Sequence, residues 1–264
     1  MKIGFIGCGN MATAILKGIL KSGEVAAADI IASAKSDKTR EKIEKELGIQ
    51  KADTNAQVVD FADVVFLAVK PQFLEGVLDE IKASVKEGQI FISIAPGKTL
   101  QWFADKLGEK TKVIRTMPNT PAMVGEGMTA LCVNDLVTEE ETALAVKLCN
   151  TFGKTEVIPE RLMDVVVGVS GSSPAYVFMF LEAMADAAVA DGMPRAQAYK
   201  FAAQAVLGSA KLMLETGKHP GELKDMVCSP AGTTIQAVRV LEKKGLRSAV
   251  FEAQTTCVDK AKGM

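Results

Sequence analysis

Short apolar runs alternate with amphipathic stretches through the first part of this chain. "KIGFI" (2–6) is followed by a helical pattern from Asn10 to Lys21. "DIIAS" (29–33) precedes the charged amphipathic segment "SDKTREKIEKEL", "DVVFLAV" (63–69) precedes a helix after Pro71, and "QIFISIA" (89–95) precedes another from Thr99. "KVIRTM" (112–117) closes the series. A strand paired in parallel with the next needs a connection of helical length, so this alternation predicts a parallel sheet covered on both faces. After Pro159 the pattern becomes purely helical: segments 174–192, 195–217, 232–244 and 246–262 are rich in Ala, Leu and Met and are punctuated by Gly or Pro. The expected fold is α/β, a doubly wound sheet over residues 1–158, followed by an all-α part over residues 159–264. The two longer helices are apolar on more than one face and need burial on several sides. One chain of 264 residues does not easily supply that, which predicts a homodimer with interleaved helices.

Composition narrows the function. The 31 basic and 32 acidic side chains nearly cancel, leaving a formal charge of −1 and no basic footprint for nucleic acid. The longest apolar stretch, Asp164 to Ala190, is interrupted by Ser, Gly, Glu182 and Asp186 and reads as falling short of a membrane span. "MKIGFIG" lacks the cleavage region of a signal peptide and reads as a buried strand, so a soluble cytoplasmic protein is expected. The five cysteines, Cys8, Cys132, Cys149, Cys228 and Cys257, are scattered without a CxxC pair and read as reduced thiols. His219, the sole histidine, precedes Pro220 and reads as a loop residue before a helix. That leaves no Ser/His/Asp triad and no histidine metal cluster, and no metal is expected. Glu182 and Asp186 read as polar positions on the less buried side of their helix, and Met179, Met184, Met193, Met213 and Met226 as packing residues.

The chemistry begins at "GFIGCGNMA" (4–12), where Gly7-x-Gly9-x-x-Ala12 joins the first strand to the first helix. In a dinucleotide-binding turn the first Gly permits the tight turn, the second lets backbone approach the pyrophosphate, and a small third residue lets helix and strand pack closely. Its place after the first strand of an alternating series is where this fingerprint belongs. An NAD site usually carries Asp or Glu at the end of the second strand. Here that position offers Ser33, Lys35 and Ser36, hydroxyls and a cation suited to a 2′-phosphate, which points to NADP, with NAD as the weaker cofactor.

"GFIGCGNMA", "FLAVKPQ" (66–72), "RTMPNTP" (115–121), "GSSPAY" (171–176) and "SPAGTTI" (229–235) together resemble the pyrroline-5-carboxylate reductase family, in family order over essentially the whole chain. The resemblance implies a Rossmann domain followed by a helical dimerisation domain, with dimers in some members assembling into larger rings, a decamer among the expected forms. It implies reduction of 1-pyrroline-5-carboxylate to L-proline by NAD(P)H, the last step of proline biosynthesis. Carried over by position, Cys8, Gly9, Asn10 and Met11 meet the pyrophosphate, with Gly7 in the same cofactor-binding turn, Ser33 and Lys35 the adenosine end, and Asn55 the adenine ribose. Ala68, Val69, Lys70 and Pro71 pass under the cofactor, with Ala95 and Pro96 near the nicotinamide. Val227, Ser229, Gly232, Thr233 and Thr234 form the implied substrate loop, and Thr234 matches the hydroxyl placed near the ring nitrogen.

The residues of that loop have a reading of their own. Gly232, Thr233 and Thr234 open a helix, where free N–H groups and partial positive charge suit a carboxylate. Ser-Pro followed by Thr also passes as ordinary helix capping. Ala231 stands where many members carry Gly, which is expected only to stiffen the loop slightly. Two other readings stay open: another oxidoreductase on this scaffold, and a non-catalytic NADP sensor. Hydroxyacid dehydrogenases carry a catalytic lysine after a GxSG segment, whereas here no lysine follows "GVSGSSPAYVFMF" until Lys200. Imine reductases of broader range are not separable by sequence.

Overall fold

The computed structural model describes residues 1–263, the side chain of Lys42 excepted. Eight strands form one sheet: β1 Ile3–Ile6, β2 Ile30–Ser33, β3 Gln50–Ala52, β4 Val64–Leu67, β5 Ile90–Ser93, β6 Lys112–Met117, β7 Gly127–Val133 and β8 Gly153–Val157. Their order is β3-β2-β1-β4-β5-β6-β7-β8. The first six are parallel and follow the Rossmann order, reversing direction of growth between β1 and β4. β7 runs antiparallel to β6, and β8 is parallel to β7. The parallel sheet expected from the alternation holds for the five strands read there, and β7 and β8, which that reading did not include, bring the one antiparallel step. Only the 3₁₀ turn at Thr120–Val124 separates β6 from β7, too short for a crossover, so the chain folds straight back.

Alternate strand residues face opposite layers. Ile3, Phe5, Val64, Phe66, Ile90 and Ile92 pack under α1 (Asn10–Ser22), α2 (Asp37–Lys45) and, with Ile114 and Leu131, α6 (Glu139–Cys149). Ile6, Val65, Leu67, Phe91 and Val113 face α3 (Asn55–Phe61), α4 (Pro71–Ile81) and α5 (Leu100–Leu107). Phe5 and Phe66, opposite one another in register, stack with ring centroids 4.5 Å apart. Helix starts follow local chemistry. Thr54 and Thr138 each form a capping box, with Gln57 and Glu141, and the Thr99 hydroxyl accepts from the Trp102 amide.

The rest is helical: α7 (Met163–Val166) running into a π-helical turn at Val167–Gly171, α8 (Ser173–Ala190), α9 (Arg195–Thr216), α10 (Pro220–Val227), α11 (Thr233–Lys243) and α12 (Leu246–Lys262). Contacts divide the chain into one unit of Met1–Ser172, joined again by the chain from Cys257 on, and a second of Ser173–Thr256. The Cys257 thiol donates to the Ser172 hydroxyl at 3.1 Å within the first unit. In the second unit the fully buried hydrophobic residues are alanines, Ala185, Ala198 and Ala202, while Phe178, Met179, Phe201, Leu214 and Phe251 lie exposed. The expectation that Asp164 to Ala190 falls short of a membrane span is also corrected: the helical run Glu160–Ala190 is long and apolar enough to cross one by length and composition. The run passes through a π turn at Val167–Gly171, and of its four carboxylates Glu160 and Asp164 lie at the start and Glu182 and Asp186 toward the far end.

Candidate active site

The turn after β1 shows what its two glycines do. Gly7 has φ +93°, and a Cβ there would lie 2.7 Å from the Ala68 carbonyl oxygen, so strand packing alone demands glycine. Gly9, the N-cap of α1, has an ordinary φ of −73°, and a Cβ on it would meet nothing within 4 Å. The fold leaves open space in front of Gly9 that a side chain would fill. No side chain caps α1, so the N–H groups of its first residues, Asn10 and Met11, keep no side-chain partner at the positive end of the helix. Together these features fit a dinucleotide pyrophosphate.

Beside the turn lies a cleft of about 510 Å³ at the carboxyl ends of β1, β2 and β4, the point where strand order reverses and ligands bind in open α/β sheets. It gathers Gly7, Ser33, Lys35, Asn55 and Val69 from the sequence-derived set. The Ser33 hydroxyl donates to Asn55 Oδ1 at 2.6 Å, and Asn55 Nδ2 donates to Glu80 Oε2 at 2.7 Å. Lys35 places its ammonium 5.7 Å from the Phe73 ring centroid. Arg40, in α2, also lines the cleft and donates from Nε to the Ala34 carbonyl at 2.8 Å. Sequence reasoning missed Arg40, Phe73 and Glu80. Arg40 reads as one more charge in "SDKTREKIEKEL", and Glu80 comes near Asn55 only because α4 packs beside α3.

The remaining cofactor-side residues occupy the same edge of the sheet. Ala68 donates its N–H to the Ile6 carbonyl at 2.9 Å, and Lys70 and Pro71 are the N-cap and first residue of α4. Ala95, buried, and Pro96 border a narrow crevice with Arg115 and Met117. Arg115 is nearly buried and pairs with Glu160, whose Oε1 also accepts the Leu100 amide at 2.7 Å, tying the loop after β5 in place. Asn119, another residue without an assigned role in the sequence, donates to the Ser170 carbonyl at 3.0 Å and accepts the Met128 amide at 2.8 Å.

The second unit carries the loop 228–234. Gly232 is the N-cap of α11, and Thr233 and Thr234 are its first residues, with no side chain capping the free N–H groups. A Cβ on Gly232 would lie 2.3 Å from Ser229 Oγ and 3.1 Å from the Ser229 carbonyl oxygen, so a side chain there would make the Ser229 hydroxyl turn away. Val227, at the end of α10, is exposed, and Ser229 is exposed beyond it. Ala231 adopts φ +59°, the one non-glycine positive φ among the described residues. Where Gly would be free to take this conformation, Ala is held in it at about 1–2 kcal/mol, a larger effect than slight stiffening. His219 caps α10 by accepting the Gly221 amide on Nδ1 at 3.1 Å, and Asp186 pairs with Arg195 on an exposed face. Burial pushes the Cys132 thiol up to about 11 and the Cys149 thiol up to about 12, leaving both unreactive at neutral pH.

A Rossmann sheet with this turn and cleft, joined to a helical part, defines a nicotinamide-dinucleotide oxidoreductase. Residues 160–264 match the family model for pyrroline-5-carboxylate reductase dimerisation, and residues 2–97 match that for NADP oxidoreductase, coenzyme F420-dependent. The chain is 56% identical over 260 residues to a pyrroline-5-carboxylate reductase of Escherichia coli, covering 98% of this chain and 97% of that one. The solved pyrroline-5-carboxylate reductase of Coxiella burnetii superposes with a TM-score of 0.93 at 35% identity, over 99% of this chain and 97% of that chain. The pyrroline carboxylate reductase of Plasmodium falciparum, solved with NADP bound, gives 0.89 at 28% identity, over 100% of this chain and 97% of that chain. The chain belongs to the pyrroline-5-carboxylate reductase family, and with its dimerisation region it self-associates.

Proposed function

We propose that this protein reduces 1-pyrroline-5-carboxylate to L-proline as the last step of proline biosynthesis, with NADPH as preferred reductant and NADH as the weaker one. The open, uncapped α1 N-terminus in front of Gly9 carries the reading, together with the family membership. The bound dinucleotide supplies a hydride for the C=N carbon. A protonated imine is already electrophilic, so the protein's work is orientation. Residues 1–158 supply the dinucleotide domain and residues 159–264 the substrate and dimerisation part. Cys8, Gly9, Asn10 and Met11 hold the pyrophosphate, while Ala68, Val69, Lys70, Pro71, Ala95 and Pro96 lie along the cofactor. The N–H groups at Gly232 to Thr234 hold the substrate carboxylate, with Val227 and Ser229 flanking it, and the Thr234 hydroxyl holds the imine nitrogen. The apolar helices face a second copy rather than lipid, in a cytoplasmic homodimer that assembles further, a decamer included.

Thr234→Ala tests the residue roles. Turnover falls about 100-fold, the scale of one positioned proton-handling group, with NADPH affinity unchanged. Full turnover and unchanged substrate affinity would remove Thr234 from the mechanism.

A further inference from the structure

Cofactor choice in this chain runs through a residue outside the dinucleotide turn and the β2 end. The cleft holds two cations, Lys35 and Arg40, and two carboxylates, Asp53 and Glu80, so charge alone does not commit it to a 2′-phosphate. The hydrogen-bond relay does more. Glu80 presents a carboxylate that accepts and does not donate, so the Asn55 group 2.7 Å from it is the NH₂. Asn55 Oδ1 is then left facing Ser33, and the Ser33 hydroxyl spends its single proton on it at 2.6 Å. What Ser33 retains toward the cleft is lone pairs. A ribose 2′-hydroxyl can donate to them, whereas the oxygens of a 2′-phosphate, acceptors themselves, find no donor there. Arg40 acts in the opposite sense. Its Nε is fixed on the Ala34 carbonyl, and among the described residues its terminal nitrogens have no protein acceptor, which leaves a guanidinium edge suited to phosphate.

We propose that Glu80, acting through Asn55, is a specificity-determining residue that holds Ser33 as a hydrogen-bond acceptor and so keeps NADH competitive against the pull of Arg40 on the NADPH 2′-phosphate. The proposal rests on the dinucleotide site described above and concerns only its adenosine end. Glu80→Gln removes the charge and supplies an amide that can donate to Asn55. Asn55 can then turn its NH₂ to Ser33, freeing the Ser33 proton for phosphate.

The test compares adenosine 2′,5′-bisphosphate with 5′-AMP by calorimetry, alongside NADPH and NADH kinetics. In Glu80→Gln the affinity ratio of bisphosphate to AMP rises about tenfold or more, the scale of one hydrogen bond to a charged group. The kcat/KM ratio of NADPH to NADH rises with it through KM, while kcat with each reductant holds, since the nicotinamide end is untouched. Arg40→Met moves both ratios the other way. Glu80 is exposed on α4, and Glu80→Ala provides a second variant that also removes the charge. Both nucleotides binding with ratios unchanged in both Glu80 variants would overturn this inference alone. Failure of either nucleotide to bind the unaltered protein would overturn the cofactor site and the inference with it.

Discussion

Gly7 and Gly9 look alike in the sequence and do different work. Gly7 serves the fold, because its positive φ and the Ala68 carbonyl behind it exclude a side chain. Gly9 answers to no such constraint, since nothing in the protein occupies the space its Cβ would take, and on the proposed function that space is the ligand's. Gly7→Ala is therefore expected to cost about 1–3 kcal/mol of stability from backbone conformation alone. Gly9→Ala costs at most about 1 kcal/mol, as a changed N-cap, yet weakens NADPH binding at least tenfold. Thermal melts and cofactor titration of both variants check this. Equal loss of stability with unchanged binding in Gly9→Ala would reverse the assignment. The motif made both glycines visible, but their division of labour rests on where β4 passes behind the turn. Ser33 and Lys35 were visible too, as a hydroxyl and a cation. That Ser33 has committed its proton to Asn55, and Lys35 leans on Phe73, depends on α3 and α4 and lay beyond any local reading.

Among the elements, those with strong periodicity were legible. The strand runs at 2–6, 29–33, 63–69, 89–95 and 112–117 became β1, β2, β4, β5 and β6, and the helices after them start within a residue or two of their capping signals. The elements that went unread are short or small-residued. β3 has three residues, two of them exposed, so it shows no apolar run. β7, "GMTALCV", reverses direction after a turn rich in Pro and Gly. α6 also went unread, although the capping box of Thr138 and Glu141 before "TALAVKLC" is a signal that could have found it. Because that box satisfies two backbone N–H groups at once, Thr138→Ala is expected to lower stability by about 1 kcal/mol, read as a lower urea midpoint with an unchanged m-value. An unmoved midpoint would show that α6 is held by packing of Ala145, Leu148 and Cys149 alone.

For the whole molecule, the two units solve different problems. The first buries both faces of its sheet under helices, and its core is complete within the chain. The second leaves its large apolar residues outside, Leu214 at 84% exposure, with only alanines buried. Helices of this kind fold against another copy, in keeping with the dimerisation region that residues 160–264 match. The all-round apolar character of α8 and α9 made that need legible in the sequence. The geometry of the assembly was not, because it lies in the pairing of two surfaces rather than in one chain. On the proposed function, the first unit supplies the cofactor edge and the second a helix start suited to a carboxylate. The measurement that bears most directly on it is NADPH oxidation, followed by absorbance, with freshly prepared 1-pyrroline-5-carboxylate and with NADH as control. Rapid consumption matched by L-proline formation is expected, slower with NADH. NADPH that binds but is not consumed, with no proline formed, would contradict it.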